Sequence, residues 1–126
     1  MPPGTGDVQI TLSQQVAIAC SVIVTTPQKL SFIDVKKGMA MFEDLKIPNA
    51  AVVQNMSYFD CIHGHRHYPF GKGEDMETLK KEYHIPNSIS FPILQALSNV
   101  GLPLVLHPEC PVDIYQTYQE LSTVVS

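Results

Sequence analysis

Ser21-Val22-Ile23-Val24-Thr25-Thr26-Pro27 and, further on, Ala50-Ala51-Val52-Val53-Gln54-Asn55 are the two stretches whose reading decides the fold. Both are short apolar runs, the first rich in β-branched residues that suit a pleated strand. Neither alternates with polar residues, so each reads as a strand buried on both faces. Between them Phe32, Val35, Met39 and Phe42 recur at helical spacing, with Ile33 and Leu45 beside them. Ser31, with Asp34 three residues on, resembles a capping box that would start this helix, and Pro48 follows its end. Strand, helix and strand in this order predict a parallel pair joined by a crossover helix.

Working outward, Asp7 is placed to cap a short helix over Val8–Gln15. On the other side Met56–Gly73 reads as a loop that holds most of the histidines. Glu74–Tyr83 reads as an exposed helix with Met76, Leu79 and Tyr83 on one face, and Ser88–Phe91 as a third strand stopped by Pro92. Ile93–Asn99 is expected to be a short helix and Gly101–His107 a loop or short strand. Pro111 suits a first helical position, and Ile114, Tyr118, Leu121 and Val125 then share one helix face. The expected fold is α/β, a partial parallel sheet flanked by helices, formed by residues 1–126 as one unit. Three strands make a thin sheet, which looks incomplete on its N-terminal side.

The formal net charge of −4 argues against a sequence-independent grip on nucleic acid. No apolar run reaches the roughly 18 residues of a spanning helix, so no membrane partner is expected. The Pro/Gly-rich start has neither the pattern of a secretory signal nor that of a transit peptide. Cys20, Cys61 and Cys110 are far apart and odd in number, which fits a reducing intracellular compartment better than a disulfide framework. Cys20 reads as a buried small hydrophobe, and only Cys61 has chemically interesting neighbours.

Four stretches, taken together, carry a resemblance. Met1-Pro2-Pro3-Gly4-Thr5-Gly6-Asp7 resembles the switch-II segment of Mrp-type P-loop ATPases, the MinD/ParA-like family of iron–sulfur cluster carriers. Val24-Thr25-Thr26-Pro27-Gln28 is similar to that family's next strand and turn. Gln54-Asn55-Met56-Ser57-Tyr58-Phe59 resembles its ENMSYF stretch, and Tyr68-Pro69-Phe70-Gly71 the motif after its cysteine loop. The family's Walker loop, GKGGVGKS, does not occur in this sequence. The resemblance therefore implies the C-terminal half of a P-loop fold, from switch II onward. It implies an ATP- and Mg²⁺-binding carrier of a 4Fe–4S cluster that works as a homodimer and delivers to apo iron–sulfur proteins. The stretch alone is expected not to hydrolyse ATP, so it holds no catalytic residue. Two other readings stand beside this one: a MinD/ParA-like regulatory ATPase without a cluster, and a noncatalytic module that binds through an exposed sheet edge.

By the same resemblance Pro3, Gly4, Thr5, Gly6 and Asp7 would approach a γ-phosphate; the plain alternative is an N-terminal tail. Asn55, at a strand's carboxyl end, would pair with adenine through a donor and an acceptor, with Pro92 leading a loop toward the same base. The alternative for Asn55 is a turn-forming residue. The family usually has CxxC where this chain has Cys61-Ile62-His63-Gly64-His65-Arg66-His67. Cys61 is retained, and His63 is the nearest substitute for the second thiolate, since histidine replaces cysteine in some clusters. Three readings of this loop stay open: a shared cluster, a zinc site built from Cys61, His63, His65 and His67 along an extended segment, and a solvated His-rich loop without metal.

Overall fold

The computed structural model describes residues 6–94 and 112–125. The first helix, α1, spans Asp7–Gln15, and the first strand, β1, spans Ser21–Thr25. Helix α2 follows at Lys29–Asp44 and strand β2 at Asn49–Gln54. Two short strands, β3 at Phe59–Asp60 and β4 at Arg66–His67, form a hairpin before helix α3 at Asp75–Glu82. Strand β5 covers Asn87–Ser90 and helix α4 covers Val112–Val125. The main sheet has the order β1-β2-β5 with both pairings parallel, as expected of an α/β chain.

Helices cover both faces. Phe32, Val35 and Met39 of α2 meet Val52 of β2, Met76 and Leu79 of α3, and Ile85 in one apolar cluster. Val53, Ile89, Phe91 and Ile114 of α4 form the second, with Tyr118 and Leu121 packed against it. Val52 and Val53 thus serve opposite layers, because successive strand side chains alternate faces. The Phe91 and Tyr118 rings meet at 4.7 Å between centroids.

Several local expectations need correction. Asp7 is the first helical residue rather than the cap; Gly6, extended at φ −80° and ψ −174°, takes that place. Asp7 still stabilises α1 by standing in its positive first turn. No capping box forms on α2, since Gln28 is the N-cap and the Ser31 hydroxyl bonds that of Thr26 at 2.8 Å. Ile33, with 52% of its surface exposed, and Val125 both face outward rather than joining the core. Among the described residues β1 is an edge strand and is not buried on both faces: Val24 is 65% exposed. Cys20 is only half-buried. The loop over residues 56–73 contains the hairpin that its polarity concealed. Gly101–His107, Cys110, Pro111 and most of Ile93–Asn99 lie outside the described residues.

Helices α2 and α3 end alike. Ile47 N–H bonds the Phe42 carbonyl and Lys46 N–H that of Glu43, with Lys46 left-handed at φ 58°. This is the Schellman closure, here carried by lysine instead of glycine. After α3 the Ile85 N–H bonds the Lys80 carbonyl, and His84 is left-handed at φ 51°. An ion pair, Lys36 Nζ to Glu82 Oε2 at 2.8 Å, ties the two helices on the surface.

Candidate functional site

The carboxyl ends of the three parallel strands converge, and the chain knits them together beyond the sheet. Asn55 N–H bonds the Thr25 carbonyl at 2.7 Å, and Phe91 N–H bonds the Gln54 carbonyl at 2.9 Å. Ser57 N–H then bonds the Phe91 carbonyl at 2.9 Å, and Ile93 N–H the Tyr58 carbonyl at 2.7 Å. These bonds bring Asn55 and Pro92 to one end of the sheet, the end where open α/β sheets take ligands. Asn55 is exposed and Pro92 buried. The Asn55 Oδ1 accepts the Met56 N–H at 2.9 Å, so its NH₂ group supplies the remaining donors. Met56 is left-handed at φ 52°, a conformation costly for a non-glycine residue.

From Ser57 the chain leaves the sheet and returns at Gly73. Phe59 faces His67 and Asp60 faces Arg66 across the antiparallel β3–β4 pair. The turn closes through Gly64 N–H to the Cys61 carbonyl and Cys61 N–H to the His65 carbonyl, both at 3.0 Å. Gly64 takes φ 78°, which glycine adopts without a Cβ penalty. Arg66 grips Asp60 with two bonds, Nε to Oδ1 at 2.9 Å and Nη2 to Oδ2 at 3.2 Å. Its guanidinium also lies 3.8 Å from the centroid of the Tyr58 ring. The Arg66 partner holds the Asp60 carboxyl below its ordinary range.

Cys61 stands at the start of this turn, partly exposed. Its thiol is held below the ordinary value, first by the His67 side chain and then by the backbone N–H groups of His65 and His63. Partial burial opposes the shift. A thiol so placed is richer in thiolate, the form that ligates metal. His63 thus acts through its backbone, whereas His67 brings a side chain.

The zinc geometry expected of an extended segment is not met. The turn at Cys61–Gly64 breaks the alternation, and among the described residues no three of the His, Cys, Asp and Glu side chains gather as a metal-binding group. One chain's described residues therefore offer a cluster at most a pair of ligands at this hairpin. Gly6 and Asp7, from the switch-II resemblance, are exposed at the start of α1, while Pro3, Gly4 and Thr5 lie outside the described residues.

Sequence reasoning missed three participants. Arg66 is one member of a His-rich loop in sequence, yet it clips the hairpin. Gln54, buried at the end of β2, and Gly73 meet beneath the loop that leads into α3. A polar residue closing an apolar strand, and glycines on both sides of Lys72, were the available signals.

Known proteins resemble this chain over nearly its whole length. It is 48% identical over 128 aligned residues to the chloroplastic Fe-S cluster assembly factor HCF101 of Arabidopsis thaliana, a match covering 99% of this chain and 24% of that protein. It is 41% identical to the iron-sulfur cluster carrier protein of Pseudomonas fragi, covering 97% of this chain and 43% of the relative. The chain thus spans less than half the length of these relatives. Among solved structures, the nucleotide-binding protein of Archaeoglobus fulgidus in complex with ADP superimposes with a TM-score of 0.67 at 39% identity, covering 78% of this chain and 40% of that one. Among the described residues, no helix is long and apolar enough to cross a membrane. The family model for the NUBPL iron-transfer P-loop NTPases matches residues 1–123, and the chain belongs to that family.

Proposed function

We propose that this chain is the C-terminal part, from switch II onward, of an ATP-binding carrier that holds a 4Fe–4S cluster and passes it to apo iron–sulfur proteins. The observation that carries the reading is the hairpin: a partly exposed thiol with raised thiolate character, set beside the carboxyl ends of a parallel sheet. Asn55 stands at those ends with amide donors for an adenine edge, and Pro92 closes the same end from β5. Pro3–Asp7 would face the γ-phosphate and its Mg²⁺.

The donor chemistry fits a shared cargo better than a private one. Cys61 with one histidine, His63 or the closer His67, gives two ligands, and two copies related by a dyad would give four. Exposed Phe59, Ile62 and Phe70 on the same segment would cover such a contact. Homodimer formation and cluster binding are thus one proposal. Because the family's Walker loop is not among these residues, the chain alone would not hydrolyse ATP.

A second reading has its own observation. A groove of about 870 Å³ runs beside β1, between Gln9 and Leu12 of α1 and Asp34, Val35, Gly38 and Phe42 of α2. The rest of a P-loop sheet would continue from this edge. A chain without it would act as a noncatalytic module that binds through β1.

Anaerobic reconstitution of the chain with iron and sulfide tests the main reading. We expect cluster absorbance, a dimer by native mass spectrometry, and loss of both in Cys61→Ser. Iron retained equally by Cys61→Ser, or no cluster in the dimer, would defeat it.

A further inference from the structure

We propose that Gln54 is the positioning residue that seats the Cys61 hairpin on the sheet. The chain leaves β2 after Gln54, makes its excursion through the hairpin, and comes back at Gly73 before α3. Both ends of that excursion rest on the Gln54 side chain. At the outgoing end the Ser57 hydroxyl donates to Gln54 Oε1 at 3.3 Å. At the returning end Gly73 lies so near that a Cβ there would overlap Gln54 Nε2 and stand 3.0 Å from its Cδ. The Ser90 hydroxyl, from the end of β5, donates to the same Oε1 at 3.4 Å.

One buried carboxamide thus holds the start of the excursion, its end and the neighbouring strand. Gln54 is only 6% exposed, so these contacts are made away from water, where hydrogen bonds count for more. Gly73 is left-handed at φ 66°, which with the lack of a Cβ lets the returning chain lie flat on the amide. Nε2 is buried and has no hydrogen-bond partner among the described residues. The outer end of this side chain meets both ends of the excursion.

Gly71 extends the same seat toward the end of β1. A Cβ on Gly71 would come 3.9 Å from the Pro27 carbonyl oxygen, so the returning loop passes over the ends of both β1 and β2. Asn55 is the next residue after Gln54. Any ligand that moves the strand end therefore moves the hairpin's seat. This functional sense rests on the carrier reading above, while the seating itself does not.

The test is amide hydrogen exchange on the whole chain without ligand. The reporting amides are Ser57, bonded to the Phe91 carbonyl, and Met76, bonded to the Gly73 carbonyl. The reference amides are Val52 and Val53 in the middle of β2. In Gln54→Leu, which keeps the bulk and removes both polar atoms, Ser57 and Met76 should exchange about 10-fold faster and the reference amides less than about 3-fold faster. Gln54→Glu keeps an oxygen for both hydroxyls, and the family stretch resembled here carries glutamate at this place. It should hold Ser57 and Met76 within about 3-fold of the parent. Equal acceleration of reporting and reference amides would mean ordinary loss of stability and would overturn the proposal, as would unchanged exchange at Ser57 and Met76. Should Gln54→Leu not fold, Ser57→Ala decides by the same comparison, read at Met76. Failed cluster reconstitution with the expected exchange pattern would remove the carrier reading and leave the seat in place.

Discussion

Leu79→Ala tests whether α3 anchors the returning end of the hairpin segment through the core. Leu79 is 0% exposed and packs within the cluster of Phe32, Val35, Met39, Val52, Met76 and Ile85. The change removes three carbons, about 2.4 kcal/mol of transfer free energy at ~0.8 kcal/mol per methylene. The space left beside Met39 and Val52, both fully buried, adds a cavity term, for about 3–4 kcal/mol in all. A domain of this length holds roughly 6–19 kcal/mol, so the variant should fold with a reduced margin. With a urea slope of about 2 kcal/mol/M the unfolding midpoint should fall by about 1.5–2 M with the slope unchanged. Leu30→Ala is the control: Leu30 is 77% exposed on α2 and should cost under about 0.5 kcal/mol. A Leu79→Ala midpoint within about 0.3 M of the parent would refute the core assignment, because no buried leucine of this kind is so cheaply removed.

Three further outcomes follow from the geometry. His67 is the leading cause of the lowered Cys61 thiol, so His67→Ala should slow Cys61 alkylation at about pH 7 several-fold, with the gap closing above about pH 9, where either thiol is ionised. Peptide-resolved mass spectrometry separates Cys61 from Cys20 and Cys110, and equal rates at neutral pH would contradict the assignment. The Asp60 carboxyl is depressed by Arg66, so the clip contributes above the unfolded value of about 3.9 and is lost as pH falls through the lower folded value. The Asp60 carboxyl carbon shift, followed by NMR, should titrate with its midpoint below that unfolded value; a midpoint at or above it would contradict the clip. Lys46 closes α2 in a left-handed conformation, so Lys46→Gly should raise stability by about 0.5–1 kcal/mol in thermal unfolding, and a loss would refute the closure.

The sequence was legible where periodicity speaks. Phe32, Val35, Met39 and Phe42 are all buried on α2, and Ala50–Gln54 falls within β2. Of the candidate site, Asn55 and the stretch 91–93 that holds Pro92 come to one end of the sheet through backbone bonds, while their ligand roles belong to the proposal made above. The hairpin was not legible, because strands of two residues carry no period and the contacts of Arg66 with Asp60 and Tyr58 exist only in the fold. Gln54 was hidden for another reason. Its work is done by contacts with Ser57, Gly73 and Ser90, which are distant or weak signals along the chain and become one contact set only in the fold.

β1 and β2 read alike in sequence, as apolar runs of similar length, yet the fold uses them differently. Among the described residues β2 lies between two strands and is buried nearly throughout, whereas β1 has one neighbour and leaves Val24 to solvent. Hydrophobicity reports how much burial a strand can use, and topology decides how much it receives. Val24 and the groove between α1 and α2 both lie on the β1 side. β1 carries no charge or proline to blunt its edge, the usual defences against pairing. In the noncatalytic-module reading proposed above, that edge is the one a partner strand would pair with. A strand added to β1 would extend the sheet whose carboxyl ends hold Asn55 and, through Gln54, the seat of Cys61.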